Sequence, residues 1–131
     1  MGNLIWYLTN WFKPVKQPAG LISILLDETN PDRDDAAHNL ANYNQEEVEA
    51  ALAQVALDPR TDDDMADACG ESLATIWCRK GRLNLETLSS LNGVALRLAV
   101  GVIKKYKPEW ETQVREVLGQ NPARAAEWDN A

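Results

Sequence analysis

The chain has 131 residues, 45% of them hydrophobic and 25% charged, with 20 Asp and Glu against 13 Lys and Arg for a formal charge of −7. That length supports a single domain with a real core, and that composition excludes an intrinsically disordered chain. The acidic excess argues against nucleic acid as the main partner, because phosphate contacts need a dense Lys/Arg surface, and it favours a basic protein partner.

Residues 4–12 are apolar and aromatic, and Leu4, Leu8, Trp11 and Phe12 fall on one helical stripe. They predict an N-terminal helix that packs on the rest of the chain, followed by a linker over residues 13–18. The run is about half the ~20 apolar residues that span a bilayer. No basic segment precedes it and no small-residue cleavage site follows. The expectation is therefore no stable membrane insertion and a cytoplasmic location.

Every later segment has a helical period. Residues 19–28 read as a short helix with Leu21, Ile22, Leu25 and Leu26 inward. Asn30-Pro31 then predicts the cap and first position of a helix running to about Asn42. Asn44 with Glu47 three residues on reads as a capping box, opening a helix with Val48, Leu52, Val55 and Ala56 inward. Asp62, Asp63 and Asp64 sit where a helix N-terminus welcomes negative charge. The helix after them carries Met65, Cys69, Leu73, Ile76 and Trp77 and stops by Gly81. Residues 84–91 and 93–106 predict two more helices, the second with Leu96, Ala99, Ile103 and Tyr106 at helical spacing. Pro108 starts another, with Trp110, Val114, Val117 and Leu118 inward and Gly119 closing it. Residues 123–131 read as a last turn or a frayed tail. With no competing strand pattern, the chain is predicted to be all-α.

Two of these units repeat. Residues 34–41 lie over residues 67–74 at an offset of 33, matching Asp34 with Asp67, Ala36 with Cys69, Leu40 with Leu73 and Ala41 with Ala74. The helices that precede them both end in Leu-Asp, at Leu26-Asp27 and Leu57-Asp58. Each unit is a helix, a short turn with Pro, and a second helix. One such pair cannot bury its apolar face alone, so stacked pairs in a short right-handed α-solenoid are expected.

The second helix, Arg33-Asp34-Asp35-Ala36-Ala37-His38-Asn39-Leu40-Ala41 after a Pro-Asp turn, resembles that of HEAT-like repeat proteins. The likeness covers residues 19–106, with the N-terminal helix and a C-terminal helix over residues 107–131 as additions to one domain of residues 1–131. It implies a non-catalytic binding scaffold whose second helices line a concave face. The aromatic N-terminal helix departs from the pattern and bears on how open that face is.

Charge is unevenly spread. Residues 27–71 hold 14 acids against Arg33 and Arg60, a net −12, and residues 72–107 carry a net +6. The repeat register places Asp34 and His38 one turn apart, and Asp67 and Glu71 likewise. Asp35, Asn42, Asp63 and Asp64 lie nearby. These eight residues form a candidate partner-binding ladder, set against the simpler reading of a solvated helix face whose N-terminal acids complement the dipole.

Catalytic and metal chemistry find little support. His38 is the only histidine, and the Asp62–Asp64 run lacks the glycine and the terminal Glu of a calcium loop. Cys69 and Cys78 point to opposite sides of one helix, beyond disulfide reach, and read as reduced thiols. There is no nucleophile elbow, P-loop or dinucleotide fingerprint. No cofactor, metal or catalytic residue is expected. Small size, acidic field and absence of active-site residues resemble the antibacterial immunity proteins encoded beside toxins, which implies a basic, nuclease-type toxin as partner. The alternatives are a general HEAT-like scaffold or oligomer subunit and, third, an enzyme using surface carboxylates.

Overall fold

The longest helix explains most of the architecture. In the computed structural model, which describes residues 17–131, the elements in order are α1 (Ala19–Leu26), α2 (Arg33–Leu40), α3 (Glu46–Leu57), α4 (Asp63–Lys80), α5 (Leu85–Ser90), α6 (Gly93–Tyr106), a 3-10 turn (Pro108–Trp110), α7 (Glu111–Leu118) and α8 (Glu127–Asn130). The described residues are all-helical apart from turns.

α4 is fixed at both ends by local chemistry. The Asp62 carboxylate accepts from the Met65 amide at 2.9 Å, satisfying an amide that the helix leaves orphaned. At the other end Gly81 takes φ 67°, and the Arg82 amide closes back onto the Trp77 carbonyl at 3.0 Å. A side chain at that φ would be strained, so glycine makes the stop. Between the caps, Met65, Ala68, Cys69, Leu73, Ile76 and Trp77 are all buried. α4 packs on α2, α3 and α6, while α1 packs on α2 and α3.

The α4–α6 crossing is close because Gly70 lacks a side chain. A Cβ there would sit 2.3 Å from the Ala95 carbonyl oxygen. On the α2 side the buried Ser72 hydroxyl donates to the Ala37 carbonyl at 2.7 Å. The repeat register survives in this packing: Ala36 and Cys69, Ala37 and Gly70, and Leu40 and Leu73 are buried pairs at the offset of 33. The turns match as well. Asp27 accepts from the Thr29 amide and Asp58 from the Arg60 amide, and each Asp carbonyl accepts from the amide three residues on at 3.0 Å.

Several expectations need correction. α2 begins at Arg33 rather than Pro31, because Asn30 spends its side-chain oxygen on the Asp32 amide at 2.8 Å and holds the chain in a turn. The predicted capping box at Asn44 does not form: α3 starts at Glu46, and Arg79 takes the Asn44 oxygen at 2.6 and 2.9 Å. Within α1 only Leu25 is fully buried, and Leu26 is 39% exposed. Tyr106, at the last position of α6, is 61% exposed with Lys105 over its ring. Pro108 opens a single 3-10 turn before α7 takes over at Glu111. The tail is docked by Trp128, which is buried and whose carbonyl accepts from Lys104 at 2.9 Å. The aromatic helix expected over residues 4–12 lies outside the described residues.

Gly70 and Gly101 separate the two roles of a helical glycine. Gly70→Ala should cost about 1–3 kcal/mol by forcing α4 from α6. Gly101→Ala, with nothing within 4 Å of the new Cβ, should gain ~0.5–1 kcal/mol from helix propensity. Urea unfolding of the two variants, compared with the parent, reads both signs.

Candidate functional site

Seven of the eight ladder residues stand on α2 and α4, which pack side by side. Their helices bury one side, Ala36, Ala37 and Leu40 on α2 and Cys69, Gly70 and Leu73 on α4, which turns the polar side outward. Asp34, Asp35, His38, Asp63, Asp64 and Glu71 are exposed and Asp67 is half-buried. Asn42 is exposed too, but it stands in the turn after α2, where it joins Tyr43, Asn39, Leu21 and Ile24 around a groove of about 640 Å³.

The acids of residues 27–71 divide by what they do. Asp27, Glu28, Glu49, Asp58 and Asp62 are engaged: in turns, in ion pairs, in the α4 cap or on a buried indole. The other nine, Asp32, Asp34, Asp35, Glu46, Glu47, Asp63, Asp64, Asp67 and Glu71, make no side-chain hydrogen bond or ion pair among the described residues. Asp34, Asp35, Asp63 and Asp64 stand in first helical turns, where negative charge complements the dipole. Asp67 and Glu71 stand beyond the first turn and have no such occupation.

The neighbouring cations are spent elsewhere. Arg33 donates to the Leu25 carbonyl at 2.8 Å, closing the end of α1. Arg60 pairs with Asp58 and Glu28, each at 2.9 Å. Arg79 reaches the carbonyls of Ala41 and Tyr43, closing the end of α2. The ladder thus presents an anionic surface without internal counterions among the described residues. Such a surface carries a negative field.

A second polar feature escaped the sequence reading. Glu49 on α3 accepts from the buried Trp77 indole N–H at 2.7 Å and from Lys80 at 2.7 Å. Glu49 and Lys80, both half-buried, border a cleft of about 610 Å³ between α3 and the α4–α5 turn, with Ala50, Ala53, Leu83 and Leu85 as apolar walls. A signal for it was present: a Trp on an inward stripe needs an acceptor for its N–H, and an acid on the preceding helix supplies one.

Among the described residues no three His, Cys, Asp or Glu side chains converge to hold a metal ion, and no helix is long and apolar enough to cross a membrane. Both cysteines are free thiols. Burial pushes the Cys69 thiol up to about 12 and raises that of the half-buried Cys78 as well. Comparison of the chain with protein-family models, curated proteins and solved structures finds no match.

The thiols carry a prediction. At pH 8 iodoacetamide should alkylate Cys78 well before Cys69, because the thiolate is the nucleophile and Cys69 is both buried and protonated. The unfolded thiol ionises near 9.0 and native Cys69 near 12, so the unfolded chain loses a proton that the native one keeps. Stability should therefore fall as pH rises above about 9. Peptide mass mapping after timed labelling, and urea midpoints from pH 8 to 10.5, check the two statements.

Proposed function

We propose that the protein is a non-catalytic binding module that captures a basic protein partner on the acidic surface of α2 and α4. The observation that carries this reading is the cluster of carboxylates without internal counterions, at Asp34, Asp35, Asp63, Asp64, Asp67 and Glu71. Charges left unpaired on adjacent helices create a field that speeds encounter with a ligand of opposite sign and raises specificity. His38 and Asn42 flank the same region as hydrogen-bonding groups. The architecture read into this module is a short HEAT-like solenoid, supported by the contacts of α1 with α3, of α2 with α4 and of α4 with α6.

Within that class the reading narrows to an immunity-type inhibitor of a basic, nuclease-like toxin. The chemistry that supports it is simple. A nuclease must carry a cationic groove to hold phosphates, and an acidic helical surface of this kind is complementary to it. The inhibitor then acts by occupying the groove and needs no reactive group of its own.

The test uses a basic nuclease-type toxin and reads both affinity and salt dependence. Tight binding that weakens at least tenfold between 50 and 300 mM salt (roughly the range over which surface charges become screened) is expected. Asp34→Lys/Asp67→Lys/Glu71→Lys should lower affinity at least 100-fold while leaving the circular dichroism spectrum unchanged. Binding that ignores salt and survives the charge reversal would overturn the acidic-surface mechanism.

A further inference from the structure

We propose that the cleft between α3 and α5 is a binding site for a short zwitterionic peptide with an apolar body. The cleft exists because one stack of helices is interrupted. α2, α4 and α6 pack in series and α1 packs on α3, but α3 and α5 are not packed against each other. The space between them measures about 610 Å³. Small-ligand sites fall in the range of roughly 300–1,000 Å³.

The wall on α3 is a single stripe. Glu46, Glu49, Ala50 and Ala53 follow the i, i+3, i+4, i+7 spacing of one helical face, and the two alanines keep that wall low. Leu83 from the α4–α5 turn and Leu85 from α5 complete the apolar lining. Leu85 is 40% exposed, a large apolar side chain left at the surface.

The polar groups of the cleft divide into donors and acids. Lys80 spends one ammonium hydrogen on Glu49 at 2.7 Å, and Asn84 spends its side-chain oxygen on the Thr87 amide at 3.0 Å. The other Lys80 hydrogens, the Asn84 Nδ2 and the Thr87 hydroxyl have no partner among the described residues, and all three side chains line the cleft half-buried. The exposed Arg82 guanidinium stands with them. Convergent donors of this kind, two of them cationic, receive a carboxylate. On the acidic side, Glu46 of α3 and Glu86 of α5 line the same cleft, exposed and without side-chain partners among the described residues. They fit an ammonium group. Glu49 does not compete for that role, because Trp77 and Lys80 engage its two oxygens.

Donors, acids and an apolar lining together match a ligand with a carboxylate, an ammonium and aliphatic side chains. A free tripeptide carries all three. The site stands apart from the acidic surface of α2 and α4 and does not depend on the basic partner proposed for it.

The test is titration of the intact, ¹⁵N-labelled protein with the peptide Leu-Ala-Leu, followed by amide chemical shifts. Saturable shifts at Ala50, Leu83, Leu85 and Thr87, with α7 unmoved and a dissociation constant below about 1 mM, are expected. The N-acetyl and C-amide forms should each bind at least tenfold more weakly, since each lacks one charge. Glu46→Gln/Glu86→Gln should weaken the free peptide at least tenfold and leave the N-acetyl form unchanged. Ala50→Trp, at an exposed position, should abolish the shifts with the circular dichroism spectrum of the parent. No saturable shift up to ~10 mM peptide, or shifts centred elsewhere, would overturn the site. A capped peptide that binds as the free one does would overturn the zwitterion. So would a Glu46→Gln/Glu86→Gln variant that binds the free peptide as the parent does.

Discussion

The close crossing of α4 and α6 is the constraint on which the rest depends. Gly70 brings the two backbones together where any side chain would meet the Ala95 carbonyl, and that contact sets where α4 lies. With α4 placed, its buried stripe positions α2 through Ser72 and α3 through the Trp77–Glu49 bond. The outward side of α4 follows by elimination. It is the part left over for solvent or a partner, and it carries Asp63, Asp64, Asp67 and Glu71.

The same division governs the charges. Acids and cations that hold the fold are engaged with carbonyls, amides or one another: Arg33 and Arg79 at helix ends, Asp27 and Asp58 in the repeated turns, Glu49 beneath its indole. Arg115 likewise joins α7 to α8 through Asp129 at 2.6 Å. What remains on α2 and α4 is one-signed. A surface of this sort contributes little to stability; under the proposed function it would act at long range, on encounter with a cationic ligand.

The all-helical class and most helix positions were legible in the sequence, because 3.6-residue periodicity and strong caps act locally. Asp62, Gly81 and Asn84 each do what their local chemistry predicts. The errors share a cause. Asn30 and Asn44 both resemble caps, but Asn30 closes a turn and Asn44 answers to Arg79, 35 residues away. Tyr106 has the spacing of a core residue, yet it lies at the end of α6 in contact with Lys105. The Glu49–Trp77–Lys80 trio was legible only as a need: an inward Trp wants an acceptor, but Glu46, Glu47 and Glu49 all stand on the preceding helix, and packing across 28 residues selects Glu49. The acidic ladder was legible as a register, but which of its acids lack partners required the positions of Arg33, Arg60 and Arg79.

Under the proposed function the carboxylates of α4 beyond its first turn serve binding, whereas the engaged carboxylate Glu49 serves the fold. Urea unfolding of Asp67→Asn/Glu71→Gln beside Glu49→Ala tests it directly. Neutralising Asp67 and Glu71, which make no side-chain hydrogen bond or ion pair among the described residues, should move stability by no more than about 0.5 kcal/mol. Glu49→Ala should cost about 2 kcal/mol, because the buried Trp77 N–H then has no acceptor. Comparable losses in the two variants would contradict the division, and would return Asp67 and Glu71 to the structure.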